Sequence, residues 1–588
     1  MVKFLLGLLS GLVLSFLLLF LFVIVVVAMR SVEPAIATDS VLVVELQGEF
    51  PEAAAAQVSL EYLRFGPPLT LLDLRNNIKK AAKDDRIRAL ALRCGGFSAG
   101  WAKAQEIRWD IEEFKKSGKP VVAFMQVGGT LDYLIASAAD EVYLTPEGML
   151  DVKGLRAEAT FLKDTLTKVG VDAEIEHIGK YKSAAEPFSR SSMSDAYREV
   201  VNSILDEVYG QFLDAAAASR GKTPGELRTI LDNGPFLPEE AVTAGLADGL
   251  KFEDQFFEDL QEKLDADEIH RVKLREYQKV SMESLKLAGG SRIAVISGVG
   301  DILRGGGQGD PFLGSVVLGS DAFSETLRRV REDDDIRGVI VRIDSPGGDA
   351  IASDQMWREM NLLDEVKPLV VSMSDVAASG GYYMAMTGAP ILAYPGTYTG
   401  SIGVVYGKFN LRGLYDKIGL KKEIITRGHF AAIDTDYRAM TEEERRKLRE
   451  DIEVFYRGFV QKVADARGRP WEEIHEVAQG RVWMGSQAQQ NGLVDEIGGF
   501  DRAVAMVKQS AGLAEDDLVT LVPYPPPKTF FELLLGRDGM GTDELENASI
   551  RDSRLTRFFR ERLGTIPGWQ AMLEGGMMRV APYWVTVQ

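Results

Sequence analysis

Hydrophobic positions fall into three regimes along the chain. From Phe4 to Met29 no residue is charged and nearly all are Leu, Val, Phe, Ile, Gly or Ala. As a helix this segment would reach about 39 Å, more than the roughly 30 Å hydrocarbon layer. It also exceeds the apolar stretch of about 7–15 residues in a cleavable signal peptide, so residues 1–30 read as an uncleaved transmembrane anchor. Lys3 and Arg30 flank it about equally and leave its orientation open. Beyond it, short β-branched runs (Val41–Leu46, Leu90–Leu92, Val121–Met125, Ile293–Ile296, Val339–Val341, Leu369–Met373) predict strands. Between them Ser320–Arg331 and Gln355–Leu363 show helical spacing. Thr441 with Glu444 forms a capping box before Ile452, Phe455, Phe459 and Val463. Strands alternating with helices imply βαβ units and a largely parallel sheet, an α/β fold.

This alternation is written twice. Asp84–Arg93 recurs as Asp333–Arg342, Lys119-Pro120 as Lys367-Pro368, Tyr133 as Tyr382, and Lys168-Val169-Gly170 as Lys417-Ile418-Gly419. Arg220-Gly221 then matches Arg467-Gly468, and Gly245-Leu246 matches Gly492-Leu493, at a steady offset of 247–249 residues. Two homologous domains are expected at 40–265 and 291–510, joined by 266–290 and followed by an extension at 511–588. In the extension Arg551, Arg554, Arg557 and Arg560 recur every third residue, which reads as a basic helix face.

Composition narrows the chemistry. A net charge of −19 argues against nucleic acid as a partner. The lone Cys94 rules out an intrachain disulfide, and His177, His270, His429 and His475 show no metal-binding spacing. No cofactor is expected. The glycines of Gly305-Gly306-Gly307-Gln308-Gly309 do not fit a phosphate loop.

The second copy carries Asp344-Ser345-Pro346-Gly347-Gly348-Asp349 after one strand and Asp375–Tyr383, with Ser379-Gly380-Gly381, after the next. Glycines at strand ends leave backbone amides accessible, and a serine entering a helix sits beside free N–H groups. That suits acyl transfer, with Ser379 attacking and Gly380 plus either Gly347 or Gly348 receiving the oxyanion. The plainer reading is two Gly-rich turns with an N-cap serine. No histidine stands out as the base. The first copy supplies Lys182 within Gly179-Lys180-Tyr181-Lys182-Ser183-Ala184. Through the repeat Lys182 pairs with Ala431, while Ser379 falls on Thr130 or Leu131. Each copy lacks what the other keeps, as expected for a site shared across two domains. A lysine acting as base near neutral pH has its pKa lowered to about 7–8, roughly 3.5–5 kcal/mol of desolvation. Tyr382, Tyr383 and Met384 could line an apolar groove or lie in the core.

The anchor, the tandem copies and the segments Ser345–Gly348, Ala378–Tyr383 and Gly179–Phe188 resemble the signal peptide peptidase A family in its long, two-domain bacterial form. The resemblance covers about 40–510. It implies a crotonase-like (Clp protease-like) fold for each copy and a Ser/Lys-dyad serine protease, with Lys182 and Ser379 as the dyad. Tyr398–Val404 matches the segment whose serine, here Ser401, helps hold the lysine. It further implies a homo-oligomeric, tetrameric ring at the cytoplasmic membrane with its body on the outer, periplasmic side. The expected substrates are cleaved signal peptides and other apolar peptides in contact with membrane lipid. Two other readings are an acyl-CoA hydratase or isomerase on the same fold, and a non-catalytic membrane scaffold.

Overall fold

The computed structural model describes residue 11 and residues 33–53, 68–306, 316–526, 576–580 and 586–587, the last two stretches by backbone alone. The apolar segment Phe4–Met29 apart from residue 11, residues 307–309 of the glycine loop and the basic run Arg551–Arg560 lie outside the described residues. Among the described residues no helix is long and apolar enough to cross a membrane.

Each copy builds a parallel sheet. In the first the order is Gly249–Leu250, Glu141–Leu150, Val121–Gly128, Ile87–Phe97, Ser40–Gly48, His270–Lys273, all parallel. In the second it is Val482–Met484, Tyr398–Gly400, Leu369–Ala378, Ile336–Ser345, Ser291–Val299, Val519–Tyr524, with one antiparallel pair at the Val482 edge. Helices cover both faces, which is why these strands are rich in apolar residues; every residue of Leu369–Ala378 is buried. The predicted strands lie inside the observed ones, which run further at their ends.

Edge strands show how far the duplication extends. His270–Lys273, within the joining segment 266–290, adds beside Ser40–Val43, and Val519–Tyr524, within the extension, adds beside Ser291–Ile296. Finer contacts repeat as well. The Tyr133 hydroxyl donates to Leu246 O (2.9 Å) and the Tyr382 hydroxyl to Leu493 O (2.7 Å). Arg220 Nε donates to Gly245 O, and Arg467 Nε to Gly492 O, each at 3.0 Å.

Thr441 accepts from Glu444 N and starts the helix Glu442–Arg467, which buries Ile452, Phe459 and Val463. Tyr456 rather than Phe455 completes that stripe. The helix expected over Gln355–Leu363 starts earlier, at Ala350, because the Asp349 carboxylate accepts from Ile351 N and Ala352 N. Tyr382, Tyr383 and Met384 are fully buried core residues.

A third sheet joins the copies. Its order is Val317–Gly319, Asp301–Leu303, Gly347–Asp349, Gly576–Val580, Val404–Asn410, Asp172–Ile178. The strand Asp172–Ile178 leaves the first copy and pairs antiparallel along the whole of Val404–Asn410 in the second. Charges clamp it there. The buried Glu174 and Glu176 accept from Arg445, with Arg445 Nη1 to Glu176 Oε1 at 2.9 Å, and Arg449 Nε donates to Glu176 Oε2 at 2.7 Å.

Candidate active site

The strand Leu369–Ala378 ends at Ser379, whose N–H donates to Gly400 O (2.8 Å) and whose carbonyl accepts from Tyr383 N (2.8 Å). Its φ of +54° and ψ of −112° are strained values for a residue with a Cβ, and they are held from both sides by these bonds. Ser379 stands at the N-cap position of the helix it opens, but its side chain makes no capping bond there. Its Oγ instead lies 2.8 Å from Lys182 Nζ.

Lys182 arrives from the other copy, at the turn after Asp172–Ile178. Tyr181 N donates to Gln479 O (2.8 Å), pinning that turn against the loop 479–481. Its stem runs between two glycines: a Cβ on Gly403 would lie 3.1 Å from Lys182 Cδ, and one on Gly480 would lie 2.5 Å from Lys182 Cβ. Among the oxygens in reach of Nζ are Ser379 Oγ, Ser401 O (2.8 Å) and Ser401 Oγ (3.0 Å). Ser401, also at positive φ (+51°), is fixed by its N–H donating to Arg481 O (2.7 Å). All three side chains are buried.

The glycines stand beside the serine. A Cβ on Gly380 would lie 3.1 Å from Gly347 Cα and 3.2 Å from Gly348 N, so these three backbones touch. Gly348 adopts φ +156°, and a side chain there would strike Ile302 O at 2.1 Å. Gly347 N donates to Ser345 Oγ (3.2 Å), which in turn donates to Gly300 O (2.7 Å). Against this edge lies the strand Gly576–Val580, antiparallel to both Gly347–Asp349 and Val405–Gly407, with Gly347 opposite Val580 and Gly348 opposite Arg579.

Several supporting residues are invisible to motif reading. Lys103, from the first copy, places Nζ 2.8 Å from Asp344 Oδ2 and 3.7 Å from Asp375 Oδ2. Asp375 accepts from Gly100 N (2.7 Å) and Lys103 N (3.0 Å), and Asp344 Oδ1 accepts from Val376 N (3.1 Å). Burial pushes the Asp375 carboxyl up to about 6, with Lys103 opposing and Asp344 adding to the rise. Burial would lower Lys103, but Asp344 and Asp375 hold it well above an ordinary lysine. Arg342 donates from Nε to Glu52 Oε2 (3.1 Å) and also pairs with Glu106. Asp344 and Asp375 sit at the starts of the two quoted segments, which was the only available signal; nothing in the sequence marked Lys103, Glu52 or Glu106.

In the first copy the corresponding turn is closed. Asp132, the counterpart of Gly381, accepts from Gly129 N (2.9 Å), Phe97 N (3.0 Å) and Gly96 N (3.3 Å). Its carboxylate ties the strand end at Gly96 and Phe97 to the helix start at Gly129.

The family model "Peptidase family S49" matches residues 113–267 and again 361–514, once in each copy. The chain belongs to peptidase family S49. It is 37% identical over 546 residues to the protein named "Serine protease SPPA, chloroplastic" of Arabidopsis thaliana, covering 92% of this chain and 78% of that one. It is 32% identical over 458 residues to "Protease 4" of Salmonella typhi, covering 76% and 73% respectively. A shorter match, 32% over 210 residues, is to the "Putative signal peptide peptidase SppA" of Enterococcus faecium, covering 36% and 60%. The S49 chain is thus an SppA-type serine protease built from a tandem repeat.

Proposed function

We propose that this S49 protease is a membrane-anchored endopeptidase that degrades remnant signal peptides through a Ser379/Lys182 dyad shared by two crotonase-like domains. The observation that carries the reading is the 2.8 Å contact between Lys182 Nζ and Ser379 Oγ, made across the seam by two buried side chains. A carbonyl can only accept, so Ser401 O takes one N–H of Lys182 and Ser401 Oγ a second. In the neutral amine the lone pair is then left toward the Ser379 hydroxyl. Ser379 Oγ attacks the scissile carbonyl as its proton passes to Nζ. The C–N bond breaks as that proton passes to the leaving amine. Water, deprotonated by the same amine, cleaves the acyl ester and restores both side chains.

The oxyanion falls to Gly380 N and Gly348 N, since Gly347 N is already given to Ser345 Oγ. Substrate binds as an added antiparallel strand between Gly347–Asp349 and Val405–Gly407, the place where the chain's own Gly576–Val580 lies. Backbone pairing of this kind suits Leu- and Val-rich peptides that offer few polar side chains. The anchor 1–30 holds the body at the outer, periplasmic face of the cytoplasmic membrane, close to lipid, and the chain works as a homo-oligomeric, tetrameric ring. Nucleic acid has no part in it.

A serine-reactive fluorophosphonate probe tests the dyad. Ser379 should label in the wild type and not in Lys182→Ala, with both proteins unfolding at similar temperatures. Equal labelling of the two would remove lysine from the base role.

A further inference from the structure

The segment that carries Lys182 and the serine beside its amine are both fastened to one short turn, Ala478–Arg481. Gln479 O accepts from Tyr181 N (2.8 Å) and so holds the segment of Lys182, while Arg481 O accepts from Ser401 N (2.7 Å) and Gly480 N donates to Ile402 O (2.8 Å). The turn itself is strained. Gln479 has φ +51° and Gly480 has φ +78°, two left-handed residues in succession. Such a conformation persists only where its surroundings over-determine it. The three backbone bonds tie the turn to the very segments it holds, so a further hold has to come from elsewhere.

The side chain of Arg481 supplies it. Its guanidinium lies over the rings of Tyr181 (4.9 Å to the centroid) and Trp483 (4.4 Å), and its Nη1 donates to Glu199 Oε1. Glu199 belongs to the helix Asp195–Ser219 of the first repeat and also accepts from the Tyr181 hydroxyl (3.1 Å). That helix is tied back to the lysine segment at its start. Ser194 N donates to Glu186 Oε2 (3.0 Å), and Glu186 N donates to Ser183 O (3.0 Å), next to Lys182. The contacts thus close a circuit from Lys182 through Glu186, Ser194 and Glu199 to Arg481, and the link between Glu199 and Arg481 is where the circuit crosses from one repeat to the other.

The duplication shows that this arrangement goes with the lysine. The repeat offset carries Arg481 onto Gly234, Tyr181 onto Phe430 and Glu199 onto Arg446. Cation, phenol and carboxylate are therefore all missing from the counterpart positions, as the lysine is missing at Ala431. A pair kept only for folding would have no reason to follow the lysine. We infer that Arg481 is a positioning residue for the proton-transfer step: clamped by Glu199 and Tyr181, it holds the turn Ala478–Arg481 in its strained form and thereby keeps Lys182 Nζ at Ser379 Oγ. It acts through the turn and not on the reacting atoms. This inference rests on the Ser379/Lys182 reading above.

Steady-state hydrolysis of an apolar peptide by the full-length protein in detergent tests it, with thermal unfolding of each variant alongside. Arg481→Met keeps an apolar stem and removes the guanidinium. It should lower kcat by roughly 10- to 100-fold, the effect of displacing a reacting group by up to about 1 Å, with KM within about twofold of wild type. Glu199→Gln should lower kcat as well, and Arg481→Met/Glu199→Gln should be no slower than Arg481→Met alone, because both changes break one contact. Arg467→Met is the control: it removes a pair with Asp495 of similar exposure and should lose stability while keeping kcat within about threefold. Lys182→Ala should be inactive in the same assay. With Lys182→Ala inactive, an Arg481→Met enzyme that keeps kcat within about threefold, or changes KM alone, overturns the clamp and leaves the dyad standing. An equal loss of kcat in Arg467→Met, or losses that multiply in the double variant, overturns it likewise. An active Lys182→Ala overturns the dyad and the clamp together. Should Arg481→Met lose cooperative unfolding, Glu199→Gln carries the test, since that carboxylate is 47% exposed, and an unchanged kcat there refutes the clamp.

Discussion

Gly480 lies 298 residues after Lys182 in the chain and yet sets where that lysine stands. Its φ is +78°, and a Cβ there would lie 2.5 Å from Lys182 Cβ and 2.6 Å from Lys182 Cα and N. Ordinary contact is about 3.4 Å or more, so in Gly480→Ala one of the two backbones moves by roughly 1 Å. Neither yields easily: Gly480 N donates to Ile402 O (2.8 Å), and Tyr181 N donates to Gln479 O. The movement therefore passes into the lysine stem and lengthens the 2.8 Å contact with Ser379. A misplacement of about 1 Å at a reacting group costs on the order of 100-fold in rate, about 2.7 kcal/mol. Forcing alanine into the left-handed region adds about 1–2 kcal/mol of lost stability. Gly221→Ala is the control, since φ is +60° there and a Cβ meets nothing within 4 Å. Steady-state hydrolysis of an apolar peptide and thermal unfolding separate the two effects. Both variants should lose comparable stability, and only Gly480→Ala should lose kcat. A Gly480→Ala enzyme with kcat within about threefold of wild type would refute the claim that this glycine positions the lysine.

Three further outcomes are expected. Ser401→Ala removes one of the oxygens around Lys182 Nζ and leaves Ser401 O; it should lower kcat by roughly 10- to 100-fold, the worth of about 1.5–3 kcal/mol for a bond to a charged or reacting group, with KM unchanged. Deleting 576–588 uncovers the backbone edges of Gly347–Asp349 and Val405–Gly407 and should lower KM for peptides in a stopped assay, whereas a raised KM would show that the segment helps bind substrate. Glu444 is held at about 2 by its pair with Arg438, with burial opposing and the Thr441 backbone helping. A carboxyl lowered on folding stabilises above its unfolded value and loses that contribution as pH falls through the folded one. Glu444→Gln should thus cost on the order of 3 kcal/mol at pH 7 in denaturant melts, and the deficit should shrink between about pH 5 and pH 2.

The elements were legible because each is locally over-determined. Leu369–Met373 is strand-like in composition, and Thr441 with Glu444 declares a helix start before any packing is known. The contact between Ser379 and Lys182 was legible for a different reason: duplication turned a missing residue in one copy into information about the other. What could not be read depends on distances between segments with no shared pattern. Arg342 looked like the charged end of a strand, and only the fold places Glu52 and Glu106 against it in the interior. Asp375 and Lys103 lie 272 residues apart and neutralise each other across the seam. The pairing of Gly576–Val580 with the glycine edge rests on backbone hydrogen bonds, which no side-chain pattern encodes.

Duplication raises the question of why the two copies differ at the turn that carries Ser379, and Asp132 supplies part of a physical answer. In the second copy the corresponding residue is Gly381, where a Cβ would strike Ser345 O at 2.5 Å, so no side chain can reach the nearby amides. In the first copy a carboxylate in that place satisfies three N–H groups at once, of which the buried one, Phe97 N, would cost about 1–3 kcal/mol to leave bare. The turn of the first copy is thereby stabilised by three bonds that the second copy does without. The second copy keeps strain at Ser379 and Ser401 and relies on a lysine delivered from outside its own sheet. Placing a serine at Thr130 would therefore not restore a second centre. A lysine would also have to be brought beside it, and the lysine's position in the second repeat is held by Ala431.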